Sequence, residues 1–201
     1  MKKYILLIGG GGHCASCIDV LEMYGHFKIA GIIDNSLEAG AEVCGYPVLG
    51  NDSALAGLKT TRNICHAMIT VGQLKSPAIR MKLFHLLLDI GFILPVVISP
   101  RAHVSRTAVI GDGSVVMHDC LINSNVTIGK NCIVNTKALI EHDSAVGDFC
   151  HISTGAILNG TVVVGARTFV GSGAVIVNNT TVDPESFIKA GSLTYKSKRK
   201  I

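Results

Sequence analysis

The chain has no tryptophan, only 5% aromatic residues and only 16% charged residues among its 201. Because 48% of residues are hydrophobic, this scarcity of charge excludes a disordered chain and describes a globular one with room for one large or two modest domains. Long apolar runs are missing as well. The longest, Tyr4–Ile8 and Ile93–Ile98, fall far short of the roughly 20 residues that span a bilayer, so no membrane insertion is expected. Lys2 and Lys3 precede only five apolar residues before the glycines begin, too few for the core of a secretory signal. No disulfide framework is visible. Seven cysteines, an odd number at irregular spacings, fit a reducing compartment, and a cytoplasmic location is expected. Basic residues are not interleaved with aromatics, so no nucleic-acid partner is expected. The net charge of +4 is modest. Much of it lies in Lys196-Ser197-Lys198-Arg199-Lys200, which reads either as a solvated terminus or as a contact for an anionic cofactor.

What the chain does contain is a rhythm. From Ile98 and Val104 through Ile140 and Ile152 to Val182 and Ile188, every sixth residue is aliphatic. Helices repeat at about 3.6 residues and strands at 2, so neither produces this pattern, whereas a hexapeptide repeat marks a parallel β-helix. Four residues after each aliphatic the side chain is small or short, as at Ala138, Ser144, Cys150 and Ala156. Gly111, Gly129, Gly147 and Gly165 recur every eighteen residues, which is expected to mark a corner where φ turns positive. Three hexads then form one triangular coil of a left-handed parallel β-helix over residues 98–201, an exception to the usual right-handed crossover.

Residues 1–97 read as an α/β, Rossmann-like domain. Strands are expected at Lys3–Ile8, Lys28–Ile33 and Ile64–Val71, and helices at Cys14–Tyr24, after Asn51-Asp52-Ser53, and from Ser76-Pro77 to about Ile90. Such alternation implies a parallel sheet with ligands at the carboxyl ends of its strands. Gly9-Gly10-Gly11-Gly12-His13 joins the first strand to the first helix. Backbone N–H groups can cradle phosphate there, although a mere tight turn is the alternative. Asp34 ends the second strand, where a carboxylate can reach a ribose or a base. The domain is too short for a full dinucleotide fold, so a mononucleotide handle fits better than NAD, and a nicotinamide-dependent reductase is disfavoured. Cys14-x-x-Cys17 reads as core or as a redox or metal half-site.

In a coil of eighteen residues, positions i and i+18 stack about 4.8 Å apart. His142 is then outward-facing, with Ser124 below and Gly160 above, and Asp143 follows it. A histidine beside a carboxylate can be held in the tautomer that leaves one ring nitrogen free as a base, against the alternative of an ordinary surface histidine. Thr154, Ser172 and Ala190 stack along one edge as small residues, with His151 near the foot. A smooth groove of that kind suits an elongated ligand such as pantetheine, and tight corners that simply prefer small residues are the alternative.

These features together resemble the hexapeptide-repeat acyltransferases that modify bacterial nucleotide-linked amino sugars. The likeness is closest to UDP-4-amino-sugar N-acetyltransferases, with sialic-acid O-acetyltransferases as near relatives. It rests on Ile8-Gly9-Gly10-Gly11-Gly12-His13, Ile33-Asp34, Gly45-Tyr46-Pro47-Val48-Leu49-Gly50, the Ile98-Ser99-Pro100 junction, Ile140-Glu141-His142-Asp143 and Val146-Gly147-Asp148-Phe149-Cys150-His151. The resemblance implies a homotrimer with three sites between subunits, each taking a nucleotide sugar and acetyl-CoA, with no metal. By position it implies His142 as general base and Asp143 as the carboxylate that raises its basicity. Gly11, Gly12, His13, Asp34, Asn35 and Gly72 become contacts for the nucleotide sugar, and His151, Ser172 and Ala190 contacts for acetyl-CoA.

The expected reaction moves acetyl from acetyl-CoA to the amine of a UDP-linked 4-amino-4,6-dideoxy sugar by direct attack, without a covalent enzyme intermediate. The alternatives are O-acetylation of a sialic-acid-like sugar and a non-enzymatic nucleotide-sugar-binding trimer. A zinc hydro-lyase on the same scaffold is disfavoured because His103, His118, His142 and His151 never stack at eighteen.

Overall fold

The computed structural model describes residues 2–195, so the basic tail singled out above lies outside the described residues. The chain divides into two compact units. One comprises the residues up to Gly72 together with Ala78–Val97, and the other comprises Gln73–Pro77 and the chain from Ile98 onward.

The first unit carries β1 (Lys3–Ile8), α1 (Gly12–Tyr24), β2 (Phe27–Ile33), β3 (Glu42–Val43), β4 (Tyr46–Gly50), α2 (Leu55–Thr61), β5 (His66–Ile69) and α3 (Ala78–Ile90). Its sheet runs in the order β3-β4-β2-β1-β5, with β1 parallel to both β2 and β5. The α/β Rossmann-like architecture expected from the sequence is present. The β3–β4 hairpin, antiparallel and very short, has no counterpart in the sequence reading, and the third strand is shorter than Ile64–Val71. Ile5, Leu6, Leu7 and Ile8 are essentially without solvent contact, which explains why β1 reads as a continuous apolar run. Gly25 (φ +71) and Gly91 (φ +87) stop α1 and α3 in the left-handed region, where a Cβ would cost energy. Asn51 accepts a hydrogen bond from the Ser53 backbone N–H at 3.1 Å, giving the helical segment its expected N-terminal cap.

The second unit is a left-handed β-helix. Among the described residues, seventeen two-residue strands run from Val97–Ile98 to Leu193–Thr194 and form three parallel sheets. Stacking is at eighteen residues throughout: Leu121 pairs with Leu139, which pairs with Ile157, which pairs with Val175. The hexad aliphatics point inward, and Ile122, Val134, Ile140, Ile152, Leu158, Val170 and Ile176 are fully buried. The small residues four places later fill the same core, with Cys132, Cys150, Ala156 and Ala174 likewise fully buried.

One expectation needs correction. Gly111, Gly129, Gly147 and Gly165 do not adopt positive φ. The left-handed residues lie two places further on and recur every six: Gly113, Asp119, Asn125, Asn131, Lys137, Asp143, Phe149, Gly155 and onward to Gly191, with φ between +50° and +72°. From Gly113 to Gly191 each corner of the prism is therefore turned by one αL residue, and most of these are not glycine. The eighteen-residue glycines answer to a different constraint. A Cβ on Gly111 would lie 2.7 Å from the Gly129 carbonyl carbon, and one on Gly147 would lie 2.6 Å from the Ala166 nitrogen. Close approach of the next coil, and not backbone conformation, requires glycine there.

Candidate active site

In the first unit the glycine loop is built by β1, β2 and β5 together. Gly9 (φ +106) donates its N–H to Ile33 O at 2.8 Å, and its carbonyl accepts from Thr70 Oγ1 at 2.6 Å. The Asp34 carboxylate closes the loop. Its Oδ2 accepts from Gly10 N at 2.7 Å, and its Oδ1 accepts from Ser36 N at 2.7 Å and Leu37 N at 3.1 Å. Partial burial pushes the Asp34 carboxyl up, but these three backbone donors outweigh it and hold it below the ordinary range. Asp34 thus acts on the loop itself, and both of its oxygens are already engaged. Asn35 is turned to Asp52, in a reciprocal pair at 2.8 and 3.1 Å.

Gly11 and Gly12 are exposed, and a Cβ on either would meet nothing within 4 Å. No side chain caps the N-terminus of α1, and its first turn carries no acidic residue. Backbone donors there are presented to solvent with the positive end of the helix dipole behind them. His13 sits on that first turn, with its Nε2 3.5 Å from Cys17 Sγ. A Cβ on Gly72, past the end of β5, would lie 3.6 Å from the His13 Cβ. The structure therefore brings Gly11, Gly12, His13, Asp34 and Gly72 together at the carboxyl ends of the strands, where open α/β sheets bind ligands. Cavities of about 380 and 460 Å³ lie instead at the amino ends, around Lys2, Tyr4, Lys28 and Arg62. Cys14 and Cys17 are fully buried. Burial pushes the Cys14 thiol up and Cys17 to about 12, so both stay protonated and the core reading holds.

In the second unit His142 and Asp143 occupy one corner. Asp143 is the corner's αL residue (φ +60), and this turn lets two adjacent side chains face each other. His142 Nδ1 lies 2.8 Å from Asp143 Oδ2. The coils on either side fix the backbone: Asp143 N donates to Ser124 O at 3.0 Å, and Thr161 N donates to His142 O at 2.9 Å. Hydrogen bonds from His142 and then Asn125 hold the Asp143 carboxyl below its ordinary value. An ionised carboxylate only accepts, so it selects the tautomer with the proton on Nδ1 and leaves the lone pair on Nε2. The ring itself takes up the room that glycine leaves above it. A Cβ on Gly160 would lie 2.8 Å from His142 Nε2 and 2.9 Å from Cε1.

Two residues in the coil below were missed by the sequence reading. Asn125 Nδ2 donates to Asp143 Oδ1 at 3.0 Å, and Asn123 Nδ2 donates to Glu141 Oε2 at 2.8 Å. Eighteen-residue arithmetic applied to Asp143 and Glu141, and not to His142 alone, would have found both.

Thr154, Ser172 and Ala190 are all exposed along one edge, as the stacking arithmetic requires. Ser172 Oγ lies 2.9 Å from Ser153 Oγ, a neighbour not anticipated. His151 differs from the other members of this group because the whole residue is only 5% exposed. Nδ1 lies 2.6 Å from Gln73 O, Nε2 lies 3.3 Å from Asn135 Nδ2, and the ring packs edge-on against Phe169. The ring is held on both nitrogens, and the His151 backbone N–H donates to Thr168 O at 3.0 Å. Among the described residues, no three His, Cys, Asp or Glu side chains converge as a metal-binding group. No helix among them is long and apolar enough to cross a membrane.

Comparison with known proteins bears on both units. Residues 4–87 match the PglD N-terminal domain family. The chain is similar to the perosamine N-acetyltransferase PerB of Caulobacter crescentus, solved with CoA and GDP-perosamine, at 34% identity over 94% of this chain and 87% of that one, with a TM-score of 0.87. Variants of that enzyme with one histidine replaced were solved with the same two ligands. It is also similar to the acetyltransferase domain of PglB from Neisseria gonorrhoeae, solved with acetyl coenzyme A, at 30% identity over 98% and 94% of the two chains, with a TM-score of 0.87. WeeI from Acinetobacter baumannii, at 20% identity over 98% of each chain and a TM-score of 0.62, shares the fold. No curated protein sequence matches significantly.

Proposed function

Because the chain belongs to the hexapeptide-repeat sugar N-acetyltransferases, which transfer acetyl from acetyl-CoA to the amino group of a nucleotide-linked sugar, we propose that His142 is the general base of that transfer. The observation that carries the proposal is the 2.8 Å bond from His142 Nδ1 to a carboxylate kept ionised at the same corner, which leaves Nε2 as the basic atom. The sugar amine attacks the thioester carbonyl while Nε2 takes the amine's proton. The tetrahedral intermediate then collapses, the C–S bond breaks, and the departing CoA thiolate recovers the proton from the imidazolium. Asp143 stabilises the imidazolium between the two steps and fixes its tautomer.

The open α1 N-terminus at Gly11 and Gly12, flanked by His13 and Gly72, is suited to the diphosphate of the nucleotide-linked acceptor sugar. Asp34 supports this reading by holding the loop. Asn35, paired with Asp52, is the weakest of the proposed substrate contacts. The exposed column of Ser172 and Ala190, with His151 buried near its foot, offers acetyl-CoA a groove without bulky side chains. We propose a nucleoside-diphosphate-linked 4-amino-4,6-dideoxy sugar as acceptor. The sequence resemblance favours UDP, and the GDP-perosamine bound to PerB makes GDP its competitor. A cytoplasmic homotrimer is the assembly expected.

The test is to incubate the protein with acetyl-CoA and either the UDP- or the GDP-linked amino sugar, following free thiol and the mass of the sugar. Thiol release with a gain of one acetyl group on one of the two supports the reading and assigns the nucleotide. Binding of both sugars with no acetyl transfer to either refutes this acceptor class.

A further inference from the structure

We propose that Asn125 is a positioning residue for acetyl transfer, a neutral donor that orients the Asp143 carboxylate toward His142 without cancelling its charge. This rests on the general-base reading of His142. Side chains of His142 and Asp143 are 56% and 48% exposed, so water competes for the carboxylate and nothing in the two residues alone prevents it from rotating away. Asn125, one coil below, takes Oδ1 at 3.0 Å and leaves Oδ2 for the imidazole at 2.8 Å. Its amide can face only one way, because an ionised carboxylate needs a donor. Asn125 is itself held, at φ +59 and with its backbone N–H donating to Thr107 Oγ1 at 2.9 Å.

The choice of an amide stands out against the rest of the prism. At two other corners a carboxylate also sits eighteen residues after its partner, and the partner is arginine. Arg101 meets Asp119 at 2.7 Å, and Arg167 meets Glu185 at 2.8 Å. Arg167 shows that the αL corner accepts an arginine, at φ +63. The scaffold's usual solution at 125/143 would therefore be a salt bridge. A guanidinium there would neutralise the carboxylate that must stabilise the imidazolium and would compete with the imidazole for it. An amide orients the same oxygen and leaves the negative charge in place.

The variants Asn125→Arg and Asn125→Gly test this, each made alone and with Asp143→Asn, with His142→Ala as reference. Glycine keeps the αL backbone and removes only the donor. Asn125→Arg is expected to melt no lower than wild type yet lose about five- to fiftyfold in kcat, below the 10²–10⁴ that a general base supplies. Asn125→Gly should lose several-fold. Both should leave KM for acetyl-CoA and for the nucleotide sugar within about twofold, and neither should lower kcat further once Asp143 is Asn, because the effect runs through that carboxylate. Wild-type kcat in Asn125→Arg with His142→Ala inactive would overturn the positioning role alone, as would an undiminished effect in the Asp143→Asn background. Wild-type turnover in His142→Ala would overturn the general-base reading beneath it. Should the arginine variant fold poorly, the glycine variant carries the same comparison.

Discussion

Gly160→Ala probes the geometry at His142 with a single added methyl group. The backbone at Gly160 lies outside the left-handed region that favours glycine, so alanine brings no conformational strain. The new Cβ would lie 2.8 Å from His142 Nε2, 2.9 Å from Cε1 and 3.3 Å from Asn178 Nδ2. Ordinary contact begins near 3.4 Å, so the imidazole must retreat by about 0.6 Å or swing outward. With 56% of its side chain exposed, the ring can do so at little cost to folding. The melting temperature should stay close to that of wild type, because alanine also reduces the freedom of the unfolded chain. Catalysis is less forgiving, since misplacing a catalytic group by about 1 Å can cost about 10²-fold. We expect kcat to fall about 10- to 100-fold with KM values little changed, measured by thiol release from acetyl-CoA. An unchanged kcat in a folded Gly160→Ala enzyme would refute the placement of Nε2 as the reacting atom. A large drop in melting temperature would refute the view that the ring yields freely.

His142→Ala should lower turnover by about 10²–10⁴-fold while calorimetry shows nucleotide-sugar binding intact; turnover near wild type would dismiss the base. Backbone hydrogen bonds hold the Asp34 carboxyl below its ordinary range in the folded protein, so its stabilisation is present above the unfolded value and is lost as pH falls through the folded one. Thermal melts from about pH 6 to pH 3 should therefore fall more steeply for wild type than for Asp34→Asn, and parallel curves would contradict the role of the loop-closing carboxylate. Among the β-helix glycines, Gly129→Ala should destabilise severely, since its Cβ would lie 2.6 Å from the Asp148 nitrogen. Gly155→Ala faces open space at φ +64 and should cost only about 1–2 kcal/mol; equal losses in chemical denaturation would disprove the distinction between contact and conformation.

Much of the second unit was legible because a β-helix stacks residues at a constant interval. Once Ile98, Val104 and their successors reveal the hexad, the position of every residue on the prism follows, including His142 between Ser124 and Gly160. The strand–glycine–helix order located the loop at Gly9–Gly12. The sequence could not reveal which of two reasons requires a glycine. Gly111 and its repeats looked like left-handed corners, whereas the left-handed residues are Gly113, Asn131, Phe149 and Arg167 two places along, and others at every sixth position between them. Close approach between coils is a distance between backbones far apart in sequence, and no local pattern records it. The use made of polar side chains was equally hidden. Asp34 bonds to the loop and not outward, His151 is buried on Gln73 and Asn135, and Asn125 supports the carboxylate beside His142. Periodicity determines where a side chain starts, because that depends on backbone repeat alone. Where it ends depends on which donors and acceptors the folded chain brings within about 3 Å, and only the tertiary structure decides that.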